Sequence, residues 1–133
     1  MLEKNPTTLK IVFKNFPLRS HKYATTAAVA ALAAGRQGKF WEFHDELFRI
    51  YNQISDEKIL EIAQKLALNL VQFEKDVKDP AIRQIIGQDY QEGLRIGVKG
   101  IPSTYINGKQ LRARTLDDFQ SAIDKELKKS PAN

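Results

Sequence analysis

There is no cysteine among the 133 residues. That excludes disulfides, thiolate nucleophiles and cysteine-based zinc sites together. Only two histidines occur, His21 and His44, far apart in the chain. A histidine metal cluster is therefore not expected, and neither a metal nor a cofactor is assigned. No apolar run approaches the roughly 20 residues of a membrane helix, so no membrane partner is expected. Met1 to Pro6 contains no apolar stretch of the signal-peptide kind. Taken at face value that reads as cytoplasmic. Acidic residues are outnumbered 16 to 21, giving a formal charge of +5. The excess falls on Lys4, Lys10, Lys14, Arg19 and Lys22 early, on Arg112 and Arg114 late, and then on Lys125, Lys128 and Lys129. We read it as a solvated basic surface. Aromatic side chains do not alternate with the basic ones as a single-strand platform needs, so no nucleic-acid partner is expected.

What is present suits one folded domain. Apolar residues (42%) and charged residues (28%) stand in ordinary globular proportion. Ile11, Val12 and Phe13 make a short apolar run within Leu9–Phe16 that Pro17 stops, which predicts a buried strand. Tyr23 to Ala34 is dense in alanine, the best helix former, and Gly35 is expected to close that helix. Gln37-Gly38 breaks the chain. Phe40, Phe43, Leu47, Phe48 and Tyr51 then recur at helical spacing. Ser55 caps a helix with Ile59, Leu60, Ile62, Ala63 and Leu66 as its apolar face.

Asn69 followed by Gln72 has the form of a capping box, opening a short helix that carries Leu70, Phe73 and Val77. Asp79-Pro80 starts another, because Asp caps and Pro suits the first turn. Ile82, Ile85, Ile86, Tyr90 and Leu94 mark its face, and Gly97 ends it. Ser103 to Ile106 is β-branched and aromatic. Asn107-Gly108 is the strongest short hairpin signal, with Lys109 to Arg112 as the returning strand. Thr115 begins a last helix, with Asp117 and Asp118 in its dipole-favoured first turn and Phe119, Ile123 and Leu127 facing inward.

Few side chains offer chemistry of their own. His44 sits between apolar helix positions and reads as structural. His21, in a Ser-His-Lys loop, reads as solvated. Asp45 and Glu46 are consecutive on a helix and point about 100° apart, so they make no acid pair. Phe40 and Trp41 could line a groove, although at helical spacing such residues, with Phe43, are more often core. Gly97-Val98-Lys99-Gly100 is too short and wrongly placed for a phosphate loop.

Two stretches go beyond pattern. One is Ile11 to Leu18 followed by Gln37 to Phe48, and the other is Gly97 to Gly108, whose Gly100-Ile101-Pro102 loop enters a strand before Asn-Gly. In this order and separation they resemble the DsbA-like branch of the thioredoxin superfamily, from about Leu9 onward. The resemblance implies an α/β, thioredoxin-like fold with an inserted helical subdomain, N-terminally truncated. Its order would be strand, four or five helices, β-hairpin, helix, in a single domain over residues 1–133. The helical insertion and following helix would fill about 20–97, and the hairpin and last helix 98–133.

The family's Cys-x-x-Cys opens a helix directly after a central strand, where unpaired N–H groups and the helix dipole lower the thiol pKa. That unit would precede Leu9. The expectation is thus a member of a thiol–disulfide oxidoreductase family that is redox-inactive as this chain, with no catalytic residue. Gly100, Ile101, Pro102 and Ser103 correspond to the cis-proline loop. The resemblance implies a cis bond before Pro102, with the Ile101 backbone turned outward toward an extended peptide.

The alternative is a non-catalytic module that holds extended or unfolded peptides on that loop. A minor one is a kappa-class glutathione transferase or related isomerase, whose hydroxyl residue would also lie in the absent unit. Loss of a central strand would open sheet edges, predicting a homodimer or other self-association. Family members usually work outside the bacterial cytoplasm.

Overall fold

The structure of the protein, a computed structural model, describes residues 2–129. Its chain divides into two compact units. One runs from Lys14 to Gly97, and the other joins the residues up to Phe13 with those from Val98 onward. Residues 130–133, the end of the expected hairpin-and-helix segment, lie outside the described residues.

The unit Lys14–Gly97 is helical, and alanine explains how it is packed. Helix α1 (Ala24–Gly35) buries Val29, Ala30, Ala31, Ala33 and Ala34. Side chains this small let neighbouring backbones approach closely. Accordingly α1 touches α2 (Phe40–Arg49), α3 (Asp56–Lys65), α4 (Leu70–Val77) and α5 (Pro80–Arg95). Phe43, fully buried, stacks on Phe73 with ring centroids 5.8 Å apart. Burying a side chain of that size contributes about 1.5–3 kcal/mol. Leu47, Ile59, Ile62, Ala63, Leu68, Ile82 and Ile86 complete this core.

Local chemistry fixes where these helices begin. Ser55 Oγ accepts the Lys58 N–H, Asn69 Oδ1 accepts the Gln72 N–H, and Asp79 Oδ1 accepts the Ala81 N–H behind Pro80. The capping box at Asn69 is only half made. The Gln72 amide donates to Asp76 instead, and the Asn69 N–H goes to Gln37 Oε1 at 2.8 Å. Gln37 Nε2 in turn donates to the Asn69 carbonyl. Arg36, the C-cap of α1, reaches Asp76 and Asp79 with one guanidinium nitrogen, 2.8 Å from each. A guanidinium at a helix C-terminus also meets the favourable end of the dipole.

The entrance of this unit is fastened to its last helix. The backbone N–H and side-chain amide of Asn15 both donate to Asp89 Oδ2, at 3.0 and 2.9 Å. Lys14 Nζ donates to Glu92 at 3.3 Å, and Phe16 stacks on Tyr90 at 4.5 Å.

The other unit holds the sheet. Strands β1 (Thr104–Ile106) and β2 (Lys109–Leu111) pair antiparallel, Thr104 opposite Leu111 and Ile106 opposite Lys109. Asn107 and Gly108 both have positive φ, 46° and 82°, as a type I′ turn requires. Helix α6 (Leu116–Lys129) follows, and Asn107 Nδ2 donates to its Glu126 at 3.4 Å. Among the described residues of this unit, Ile123 is the one buried apolar side chain.

Several expectations need correction. Leu9–Phe16 forms no strand, and the sheet of the described residues has two strands, not three. A strand is held by a ladder, and no third strand is there to supply one. Ile11, Val12 and Phe13 are exposed instead of buried, Val12 at 61%. Helix α1 passes through Gly35, and the left-handed residue that turns the chain is Gly38, at φ 75°. Leu60, Phe48, Tyr51, Ile85, Leu94 and Leu127 are exposed. Each sits beside a buried stripe, because these sequences carry more apolar residues than one helix face can bury.

Candidate functional site

The loop from Lys99 to Ser103 leads into β1, which ends at the Asn107-Gly108 turn. Within it the Ile101–Pro102 peptide is cis. Ser103 Oγ donates to the Gly100 carbonyl at 2.6 Å, closing the loop across Pro102. Gly100, Ile101 and Pro102 are exposed, Ile101 at 52%, and Ser103 is half-buried. A side chain at Gly100 would meet nothing within 4 Å, so this loop is open to solvent. Its chemistry is that of a backbone edge. Ser103 has a carbonyl as its partner and no base, so its hydroxyl is not activated as a nucleophile.

Phe40 and Trp41 belong to the helical unit, at the start of α2. Phe40 packs against the core and meets Trp41 edge-on at 5.1 Å. Trp41 is 46% exposed and is therefore not core. Trp41, His44 and Phe48 form a run of ring contacts, at 5.4 Å for the first pair and 4.6 Å for the second. Trp41, His44 and Phe48 form a second stripe on α2 beside the buried 43/47 stripe. The i, i+3, i+7 spacing of Trp41, His44 and Phe48 is the sequence signal for that stripe. His44 Nδ1 lies 3.1 Å from Asp45, and His21 is exposed.

Around the hairpin the charges are arranged by capping. Asp118 accepts the backbone N–H groups of Arg114 and Thr115, and these hold its carboxyl below the ordinary carboxylate range. Glu126 is lowered by Lys129 first and then by Asn107. No group of three or more His, Cys, Asp or Glu among the described residues could hold a metal ion. Among the described residues no helix is long and apolar enough to cross a membrane.

A run of helices followed in sequence by a Gly-Ile-Pro hairpin has the thioredoxin-like fold of DsbA proteins, mostly helical with a small sheet. The model of a DSBA-like thioredoxin domain matches residues 2–124, and the chain belongs to that family of thiol–disulfide oxidoreductases. It is 33% identical over 130 residues to a probable disulfide bond formation protein D of Bacillus cereus, covering 91% of this chain and 59% of that protein. It is 34% identical over 105 residues to Na(+)/H(+) antiporter NhaA 3 of Salinispora tropica, covering 78% of this chain but 16% of the other. The chain thus spans less than two thirds of these curated relatives. Among solved structures, the thiol-disulfide exchange protein alpha-DsbA2 from Wolbachia pipientis superposes with a TM-score of 0.82 at 26% identity. That match covers 92% of this chain and 68% of that one.

Proposed function

We propose that these residues are the substrate-facing body of a thiol–disulfide oxidoreductase and that the 133-residue chain is inactive by itself in thiol exchange. One observation carries the reading: a DSBA-like domain match over residues 2–124 with no cysteine in the sequence. Exchange proceeds by attack of a thiolate on a disulfide sulfur through a mixed disulfide, so a chain without a thiol can neither attack nor be attacked. The test is reduction of insulin and oxidation of a dithiol peptide by the purified chain. Rates equal to a buffer blank are expected, and catalysis above the blank would overturn the proposal.

A second reading concerns what the body could hold. The exposed Gly100-Ile101-Pro102 segment supports main-chain pairing with an extended peptide, a mode in which backbone bonds supply affinity. An extended peptide should bind, and its backbone N-methylated copy should not. Equal binding of the two would remove this reading. We further propose that the chain self-associates, through the apolar surface at Ile11 and Val12 and the edges of the two-stranded sheet.

A further inference from the structure

We propose that the peptide held at Gly100–Ser103 is acidic, and that Arg112 and Arg114 select it. This rests on the peptide reading of the loop above. From Val98 to Thr115 the chain carries Lys99, Lys109, Arg112 and Arg114 and not one carboxylate. That segment carries a net charge of +4, as do residues 1–23.

The hairpin register brings these charges to the loop. Thr104 is the first residue of β1 and lies opposite Leu111, the last of β2. One step further out stand Ser103 on one arm and Arg112 on the other. The arms therefore leave the sheet together, one as the Gly100–Ser103 loop and the other as Arg112-Ala113-Arg114.

Both arginines are exposed, and neither guanidinium has an ion-pair partner among the described residues. Two of the three nearby acids are engaged elsewhere. Asp118 caps α6 through the N–H groups of Arg114 and Thr115. Glu126 is bonded to Lys129 and Asn107, at the far end of the hairpin. Asp117 lies on the first turn of α6, exposed to water. What remains at the loop is a positive surface that a carboxylate-bearing strand would complement. Guanidinium forks also suit carboxylates geometrically.

The experiment titrates the full chain against three labelled extended peptides by fluorescence anisotropy. Alternate positions carry Glu, Gln or Lys on a common apolar frame. At low ionic strength the Glu peptide should bind roughly tenfold tighter than the Gln peptide, as two exposed ion pairs allow. That lead should shrink at about 0.3 M salt. It should vanish in Arg112→Gln/Arg114→Gln, whose affinity for the Gln peptide stays unchanged.

Equal affinity for the Glu and Gln peptides, or an undiminished preference in the variant, would overturn the proposal. So would phosphatidylserine vesicles that bind the chain through the same arginines and displace the peptide. Absence of binding by all three peptides would sink the peptide reading of the loop itself, an outcome distinct from binding without charge preference.

Discussion

Asn5 and Gln120, 115 positions apart, exchange two amide hydrogen bonds: Asn5 Nδ2 donates to Gln120 Oε1 at 2.8 Å, and Gln120 Nε2 donates back at 3.1 Å. Asn5 is buried, and the pair joins the start of the chain to α6 within one unit. Buried amides are costly to strand, so this exchange fixes the place of the N-terminal segment. Gln120→Ala should destabilise by about 1–2 kcal/mol, the cost of unmaking bonds to a buried polar group. Gln120→Glu should lose part of that, because a carboxylate can accept from Asn5 but cannot donate. Urea midpoints of the three proteins test the order.

Arg36 and Asp76 supply a second lever. Asp76 is buried, and its Oδ2 has no hydrogen-bond partner among the described residues. Its Oδ1 depends on Arg36 and Gln72. Arg36→Leu would leave a buried carboxylate with one neutral donor, and we expect a loss of about 1–3 kcal/mol. Arg36→Leu combined with Asp76→Leu should recover much of it, since removing both charges also removes the desolvation penalty. Thermal or urea unfolding would show the non-additivity. Strict additivity would mean that the two residues are not energetically coupled.

Acid should weaken the fold over a defined range. Asp79 is held low first by the Ala81 N–H and then by Arg36, and Asp118 by the N–H groups of Arg114 and Thr115. Both titrate below the ordinary 3.8, and Glu126 below its ordinary 4.5. Their pKa values are lower in the folded chain than in the unfolded one. The stability they add is therefore complete above the unfolded values and disappears as pH falls through the folded ones. The urea midpoint should stay nearly flat from about pH 7 to about pH 5 and fall below about pH 4. In Asp118→Asn the fall should be shallower. An unchanged slope would argue against the caps as its source.

Self-association is measurable by light scattering over a concentration series. The wild type should grow in mean mass with concentration. Ile11→Lys with Val12→Lys, two exposed positions, should return it to the mass of one chain while changing the unfolding free energy by no more than about 0.5 kcal/mol. A wild-type protein that remains monomeric at high concentration contradicts the proposal.

Features that depend on neighbouring residues were the readable ones. Asn107-Gly108 turns the hairpin because two successive positive φ values favour Asn and Gly, whatever surrounds them. Ser55, Asn69 and Asp79 cap because their oxygens reach an N–H two or three residues on. The resemblance carried by Gly97–Gly108 pointed to the family for a similar reason, since it lies in contiguous residues.

What depends on distant partners was not readable. Ile11-Val12-Phe13 has the composition of a strand, but a strand needs a ladder, and pattern alone cannot supply one. Leu60 and Ile85 fit the apolar spacing of their helices yet are exposed, because burial depends on which helix lies opposite. The charge asymmetry at the loop was legible only by counting carboxylates from Val98 to Thr115. It gains meaning from the register that sets Arg112 one step beyond the Thr104–Leu111 pair.

The grip of Asn15 on Asp89, with Phe16 stacked on Tyr90, lets the helical excursion begin and finish against its own last helix. A segment whose ends are fastened to each other asks little of whatever flanks it. The loops between its helices can be lengthened at small entropic cost, because closing a longer excursion grows only logarithmically harder. Changes of loop length between Phe16 and Asp89 should therefore leave both anchoring contacts in place.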